Sequence, residues 1–414
     1  MDRRLFLITG VAGLSDPAAL INTVSPAPVT RSGDQAFDAW SQDFLARAMA
    51  AGLPEALIRD ELKDATPDPR VVGADHKQPE FTRPVGDYIR SAASAGRIQG
   101  GLKHKTEVGP WLDLILSRFG VDPGVLIGIW GLESGYGLDE GDYDVVRSLA
   151  TLAADGRRRA WAETELSDTL RIIAAGKIRR TQLTGSWAGA MGQTQLEPSE
   201  YLSRGVDVDG DGRVDIWNSP PDALGSSANI LKQAGWRPGE DWAREVRVPP
   251  GFDYALAEGP KQPPSWWAAK GVERADGLPW ATVDQASPCQ LLVPAGALGP
   301  AFLALPNHFV IRAYNNSISY ALAVGLIADG VEGRPALAAA WPVEAPLASD
   351  DRIGAQTALK ALDYDPGPAD GRIGVQTRAA LRAWQSKSDL PADGHLTVDL
   401  AKRLQQEAAA HPPP

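Results

Sequence analysis

The sequence is poor in cysteine, histidine and cationic residues, and each shortage excludes a class of site or partner. Cys289 is the only cysteine, so an internal disulfide and a Cys-x-x-Cys redox or metal site are excluded, and a buried structural thiol is the better interpretation than a nucleophile. Five histidines do not favour a His-rich zinc site. Lys and Arg number 41 against 52 Asp and Glu, a formal charge of −11. Nucleic acid is therefore not expected as a partner, because phosphate binding needs a basic surface.

Long apolar runs are also missing. Residues 5–14 form an apolar run after Arg3-Arg4, but the run is far shorter than the ~20 residues of a membrane span. We therefore interpret residues 1–30 as an export signal of twin-arginine type leading to the periplasm; a disordered basic tail is the alternative. No cysteine lies near the start, so we expect no lipoprotein anchor, and no other stretch predicts a membrane span.

The pattern of apolar residues predicts a mostly helical α+β protein. Helical spacing is found in residues 45–62 and 165–173. Residues 246–300 are rich in Pro and Gly and predict a small β or loop insertion, with a strand at 290–294. Helical spacing returns over 300–327. We expect a catalytic domain over 35–330 and a linker rich in Ala and Pro over 331–348.

The last segment, residues 349–408, contains an internal repeat. The string Arg-Ile-Gly-Ala-Gln-Thr at 352–357 recurs as Arg-Ile-Gly-Val-Gln-Thr at 372–377. We predict that each copy leads into a short amphipathic helix and that the copies pack on each other, since so short a unit cannot bury a core alone. With its Asp-Gly turns, the segment resembles the three-helix peptidoglycan-binding domain of many wall enzymes. A generic three-helix module is the alternative.

The first chemical motif places a carboxylate at the end of an apolar helix. Residues 125–132 are almost all apolar, Glu133 follows, and Gly135 and Gly137 then break the helix. Apolar surroundings disfavour the charged form of a glutamate and raise its pKa, which suits a general acid near neutral pH. A purely structural helix-end glutamate is an equal alternative on this segment alone. Asp139 and Glu140 lie on a polar, Gly-rich stretch and are expected to be solvated.

A second motif, residues 186–199, is dense in small residues and hydrogen-bond donors. Together, Glu-Ser-Gly-Tyr-Gly at 133–137 and Gly-Ala-Met-Gly-Gln-Thr-Gln at 189–195 resemble the active-site strings of the B-type lytic transglycosylases, a lysozyme-like family. The resemblance implies that Glu133 is the catalytic residue and that Ser186 and Gln195 bind the glycan. It departs at Glu197, where the family usually has an apolar residue.

The resemblance continues over most of residues 35–330 and implies further substrate-binding residues. Arg157 and Arg158 lie where the family places basic residues near the stem-peptide side of the groove. Tyr314 and Asn315 begin a string similar to the family's Tyr-Asn-x-Ser, whose Asn holds an N-acetyl group. A helix-start cap is the alternative interpretation of this string.

A third motif has the spacing of a calcium loop. Asp207, Asp209 and Asp211 precede Gly212, and Arg213 and Asp215 follow, which matches the first nine positions of an EF-hand loop. Asn218 replaces the bidentate Glu, and Asp222 could supply a late carboxylate. We predict that this loop holds a structural Ca²⁺; a solvated Asp-Gly turn is the alternative. The predicted metal-binding residues are Asp207, Asp209, Asp211, Arg213, Asp215 and Asp222.

These motifs predict a lytic murein transglycosylase that needs no cofactor for catalysis. Its expected reaction is non-hydrolytic cleavage of the MurNAc–GlcNAc β-1,4 bond with formation of a 1,6-anhydro end. The expected partners are peptidoglycan glycan strands, with other cell-wall enzymes as a second candidate class. Two alternatives stay open: a lysozyme-type hydrolase, which needs a second carboxylate, and a non-catalytic wall-binding protein.

Overall fold

The structure is a computed structural model that describes residues 28–77 and 83–410. Residues 1–27, which carry most of the predicted export signal, lie outside the described residues. Across the two described ranges, we find no helix that combines the length and apolar character needed to cross a membrane.

The part that precedes residue 332 is built mainly from helices, which confirms the expected mostly helical α+β class. Its helices run in this order: α1 Gln35–Ala50, α2 Glu55–Leu62, α3 Pro69–Lys77, α4 Val85–Ala92, α5 Ala95–Glu107, α6 Gly109–Phe119, α7 Pro123–Ser134, α8 Val145–Asp155, α9 Arg159–Ala174, α10 Pro198–Arg204, α11 Pro220–Gln233, α12 Pro264–Ala268, α13 Pro306–Tyr314 and α14 Ile318–Val331. The spacing at 45–62 therefore covers two helices, which Gly52 and Pro54 separate, since Gly52 adopts φ 89°.

Helices α7 and α14 form the centre of the catalytic part. α7 is apolar on all sides, which is typical of a helix enclosed by others, and residues such as Leu126, Ile127 and Ile129 are fully buried. The two helices approach closely at Gly128, where a β-carbon would lie 2.6 Å from the carbonyl oxygen of Val324. This approach brings the middle of α7 against the middle of α14.

Two small antiparallel sheets complete this part. Strands β1 Tyr143–Asp144 and β2 Thr184–Gly185 pair beside α8. The predicted insertion contains a four-stranded sheet of order β4-β3-β6-β5. Its strands are β3 Ala243–Arg247, β4 Glu273–Arg274, β5 Gln290–Leu292 and β6 Ala301–Ala304.

The predicted strand at 290–294 is confirmed over residues 290–292, but the helical prediction for 300–327 is wrong at its start. Residues 301–304 form β6, and all four are buried. A strand covered on both faces is apolar throughout and loses the alternation that would distinguish it from a helix. Cys289 is fully buried beside this sheet, and burial raises the pKa of its thiol to about 12, which confirms the structural interpretation.

The C-terminal module contains α15 Ser349–Ala361, α16 Val375–Lys387 and α17 Val398–Ala410 around one core. The predicted packing of the two helices that follow from the repeat is confirmed by this shared core. The two strings nevertheless differ in conformation, because residues 352–357 lie inside α15 whereas 372–377 span a turn and the start of α16. What recurs is a helical glutamine whose side-chain oxygen accepts a hydrogen bond from a backbone N–H in a turn. Gln356 Oε1 accepts from Gly371 N at 2.8 Å, and Gln385 Oε1 accepts from Gly394 N at 2.7 Å.

The module docks on loops of the insertion that contains the four-stranded sheet. Glu258, whose side chain is 8% exposed, accepts hydrogen bonds from Arg378 and Arg382 at 2.8 Å. Burial by itself would raise the pKa of Glu258, but the two guanidinium groups outweigh it and hold that pKa below its ordinary value. The linker is held down as well, since Ala338 N and Ala339 N donate to the Glu245 carboxylate at 2.7 and 2.8 Å.

Candidate active site

Glu133 lies in the last turn of α7, and local chemistry explains why the helix begins and ends where it does. Asp122 caps the first turn by accepting from Gly124 N at 2.8 Å. Gly135 ends the helix in the left-handed region at φ 59°. Glu133 is only partly buried, whereas its neighbours Gly131 and Ser134 are buried.

Tyr320, in the first turn of α14, contacts this carboxyl directly. Its hydroxyl donates to Glu133 Oε1 at 2.5 Å. Burial and then the neighbouring Glu133 charge raise the pKa of Tyr320 well above its usual range. Tyr320 is therefore a permanent neutral donor that orients the carboxyl of Glu133.

Tyr314 is a second tyrosine near the carboxyl, and it is partly buried. Its hydroxyl donates to Thr194 O at 2.5 Å and lies 3.2 Å from Ser227 Oγ. Burial and then Glu133 raise the pKa of Tyr314. The side chain of Asn315 is exposed at the end of α13, and Ser317 caps α14 by accepting from Tyr320 N at 3.2 Å. The cap is thus formed by Ser317, and the substrate role of Tyr314 and Asn315 stays a prediction.

The second motif folds into a tight turn beside α7. Gln195 adopts φ 51°, and its amide donates to Glu140 O and Gly192 O at 3.0 Å. Ser186 Oγ accepts from Ala190 N at 3.0 Å. Both side chains are partly exposed and retain hydrogen-bonding capacity for a ligand: the Ser186 hydroxyl hydrogen and the Gln195 carbonyl oxygen.

The burial of Glu140 corrects the expectation that Asp139 and Glu140 are both solvated. Asp139 is exposed, as predicted, but Glu140 is partly buried. Burial, with a smaller effect from Asp215, raises the pKa of Glu140 to about 7. The stretch looked solvated because it is polar and Gly-rich, but the turn at Gln195 covers one side of it.

Arg157 and Arg158 converge on a buried carboxylate. Arg157 Nε donates to Asp75 Oδ2 at 2.6 Å, and Arg158 lies 3.8 Å from the same carboxyl group. The Arg158 guanidinium also lies 3.7 Å from the ring centre of Trp161. The two side chains keep 40% and 32% of their surface exposed, so their predicted contact with substrate remains compatible with these internal pairs.

The structure brings together part of the predicted calcium set. Carboxylate oxygens of Asp207, Asp209 and Asp211 lie within 4.8 Å of one another. Asp222 is almost fully buried behind the loop and accepts from Val208 N at 2.7 Å and Asp215 N at 2.9 Å. Three converging carboxylates form a hard-oxygen donor set that fits Ca²⁺, and Asp222 braces the loop that presents them.

Comparison with known proteins identifies the family. The profile of the Transglycosylase SLT domain family matches residues 36–329, and the peptidoglycan binding domain profile matches residues 348–404. The chain belongs to the SLT-domain transglycosylases. The membrane-bound lytic murein transglycosylase B of Escherichia coli is 32% identical over 252 residues, which are 59% of this chain and 66% of the relative, or slightly under two thirds of its length.

Solved structures agree with this assignment. SltB3 of Pseudomonas aeruginosa, in complex with NAG-anhNAM-pentapeptide, superposes with a TM-score of 0.85 at 43% identity, over 90% of this transglycosylase and 100% of SltB3. The Escherichia coli lytic transglycosylase Slt35, solved in complex with calcium, gives a TM-score of 0.62 at 28% identity, over 71% and 92% of the two chains. The lysozyme-like fold expected for the catalytic part is thereby confirmed.

Two residues of this transglycosylase site were missed by sequence reasoning. Tyr320 lies 187 residues from the glutamate that it contacts. The only local signal was Ser317, which caps α14 and so places Tyr320 in the first turn of that helix. Gln193, inside the second motif, is almost fully buried. The family string indicated a glycan-binding role for its neighbour Gln195, whereas no local signal distinguished Gln193.

Proposed function

We propose that this protein is a periplasmic lytic transglycosylase that cleaves the MurNAc–GlcNAc β-1,4 bond of peptidoglycan and leaves 1,6-anhydroMurNAc ends. The observation that carries the proposal is a partly buried glutamate, Glu133, whose carboxyl is held by Tyr320 at the end of a buried helix. The relative SltB3 has been solved with a NAG-anhNAM-pentapeptide, a molecule that contains such an anhydro end.

One carboxyl group is sufficient for both halves of this reaction. Glu133, protonated, donates its proton to the glycosidic oxygen as the bond to C1 of MurNAc breaks. The neighbouring acetamido group stabilises the cationic centre, as in substrate-assisted glycosidases. The ionised Glu133 then removes the proton of the C6 hydroxyl, whose oxygen bonds to C1. No water is consumed, and Glu133 ends protonated again.

Ser186, Gln195, Tyr314 and Asn315 are proposed to hold sugar hydroxyl and acetamido groups. Support comes from their family motifs, from the partial exposure of Ser186 and Gln195, and from the exposure of Asn315. Arg157 and Arg158 are proposed to meet the stem peptide, because their exposed guanidinium groups suit a carboxylate ligand.

The substitution Glu133→Gln tests the central claim. It keeps the shape and removes the acid, so lysis of isolated sacculi should fall by roughly 10²–10⁴-fold, the usual contribution of a general acid-base group, while sacculus binding is retained. Retention of more than a few per cent of the rate would contradict the assignment.

Glu140 makes a lysozyme-type hydrolase the second candidate. It is a partly buried carboxyl with a pKa near 7 on the loop after α7, and a hydrolase needs a second carboxylate to activate water. Product masses separate the two functions, because the anhydro sugar is lighter by one water. Under our proposal, Glu140→Gln keeps the lytic activity and the anhydro product.

We also propose that residues 207–215 hold one Ca²⁺ through Asp207, Asp209, Asp211, Asp215 and the carbonyl oxygen of Arg213, with Asp222 behind them. The converging carboxylates support this, as does the calcium complex of Slt35. The ion would supply positive charge that offsets repulsion among these carboxylates and would take no part in bond cleavage.

The C-terminal module is proposed to bind peptidoglycan, which its family match supports. Export to the periplasm, through the twin-arginine signal proposed for residues 1–30, would bring the enzyme to its substrate. A non-catalytic wall-binding protein would fail the sacculus lysis assay while still co-sedimenting with the wall.

A further inference from the structure

Gln193 lies where three segments of the catalytic part meet. Its backbone N donates to Ile216 O at 3.0 Å, and its side-chain Nε2 donates to Trp217 O at 2.9 Å. Its own carbonyl oxygen accepts from Ser134 Oγ at 2.5 Å. The residue is 6% exposed, so these bonds are shielded from competing water.

On one side, these bonds reach the catalytic glutamate. Ser134 directly follows Glu133 and is 2% exposed. Its hydroxyl accepts from Gly137 N at 2.8 Å while it donates to Gln193. The Gln193 side chain also packs against this turn, since a β-carbon on Gly137 would lie 3.0 Å from Gln193 Oε1. Gln193 therefore helps to set where the last turn of α7 lies.

On the other side, the bonds reach the Asp-rich loop. Asp215 Oδ1 accepts from Trp217 N at 3.1 Å, and the carbonyl oxygen of the same residue, Trp217, accepts from Gln193 Nε2. Asp215 N in turn donates to Asp222 Oδ2 at 2.9 Å. A continuous set of buried or partly buried hydrogen bonds thus connects Asp215 with Ser134.

We propose that Gln193 is a positioning residue that couples the Asp-rich loop, residues 207–218, to Glu133, so that a cation in the loop and a glycan in the active site favour each other's binding. The inference rests on the proposed function and on the proposed calcium site. Coupling between two sites is reciprocal, so each ligand must change the affinity of the other by the same factor.

The substitution Gln193→Met tests this coupling. Methionine has a similar length and keeps the backbone bonds, but it lacks the amide that reaches Trp217 O. Gln290→Met is the matched control, because the Gln290 amide also donates to a backbone carbonyl, Gly259 O at 2.6 Å, but in the four-stranded sheet. Gln193→Glu is a second variant that keeps the length and replaces the donor by an oxygen.

Calcium affinity is measured by titration calorimetry with and without a saturating GlcNAc-anhydroMurNAc-peptide product. The product should tighten calcium binding about fivefold or more in the wild type and in Gln290→Met, the range usual for coupled sites. In Gln193→Met and Gln193→Glu, both ligands should still bind but the factor should fall to near one. In steady-state assays kcat should drop about tenfold in the Gln193 variants with KM little changed.

The outcomes separate the inference from the functions beneath it. Wild-type protein that binds both ligands without mutual effect overturns the coupling and leaves both proposed functions intact. Coupling that persists in the two Gln193 variants overturns the role of this residue. Absence of calcium binding refutes the metal site, and the coupling with it, whereas sacculus lysis still judges the transglycosylase proposal separately.

Discussion

Tyr320→Phe should move the alkaline limit of activity to higher pH. The Tyr320 hydroxyl donates to Glu133 Oε1 at 2.5 Å, and such a bond favours the ionised carboxyl. Glu133 must be protonated to start the reaction, so the alkaline limb of kcat/KM follows its loss of the proton in the free enzyme. Without the donor, protonated Glu133 persists to higher pH.

The structure sets the size of this shift. A hydrogen bond to a charged group contributes about 1.5–3 kcal/mol, and about 1.4 kcal/mol corresponds to one pH unit. Glu133 is only partly buried, so water will replace part of the lost bond. We therefore expect the limb to move up by about one pH unit, with a smaller loss of rate on the plateau because the carboxyl is less well oriented.

The assay is kcat/KM against pH on a soluble glycan, with Tyr314→Phe as the matched control. Tyr314 is a partly buried tyrosine that also lies near Glu133, but its hydroxyl donates to Thr194 O instead. The control should leave the position of the alkaline limb unchanged. A limb that stays in place in Tyr320→Phe, or that moves equally in both variants, would refute the reasoning.

Three further predictions concern the loop, the module and Glu140. Calcium should raise the melting temperature of chelator-treated wild-type protein, because a ligand that binds only the folded state adds about 2.7 kcal/mol to the free energy of unfolding at a hundredfold excess over Kd. Asp209→Ala should abolish this rise. An unchanged wild-type melting curve up to millimolar calcium would refute the site. Glu258→Gln removes one charge of two buried ion pairs and should therefore loosen the docked module and speed proteolysis of residues 331–348. Glu273→Gln, at an exposed position, should not change the proteolysis rate. Equal proteolysis rates in the two variants would contradict the role of the Glu258 ion pairs. The pKa of Glu140 rises from 4.5 to about 7 in the folded protein, so the folded state holds the proton more tightly and stability should decline as pH rises through that window. Glu140→Gln should flatten this decline in calcium-free buffer, and an unaltered slope would argue against the shift.

Prediction from sequence worked best where local chemistry decides the structure. α7 could be predicted because an apolar run stands between the capping Asp122 and the helix-ending Gly135. The convergence of Asp207, Asp209 and Asp211 followed from their spacing around a Gly-rich turn. In both cases the residues that fix the backbone lie within one helix or one loop, so their pattern carries the information.

The repeat predicted two packed helices but not the conformation of each copy, because a shared string does not fix a shared conformation. Gln356 and Gln376 occupy the same place in the two strings. Only Gln356 is buried and accepts from the Gly371 amide, whereas Gln376 lies on the exposed side of α16 and donates to Asp365 Oδ2 at 2.9 Å. The position of each glutamine relative to the core decides its partner, and that position depends on the packing of all three helices.

Partner choice over long separations explains the residues that were missed. A buried polar group must find a partner because its desolvation is costly, and sequence can identify such groups without identifying the partner. Glu133 accepts a hydrogen bond from a tyrosine 187 residues away, and Glu258 accepts one from an arginine 120 residues away. The first pairing depends on the close approach of α14 to α7, which the absence of a side chain at Gly128 permits. The second depends on docking of the module against a loop of the insertion. Local sequence therefore specifies which groups need partners, and the tertiary fold determines which groups those partners are.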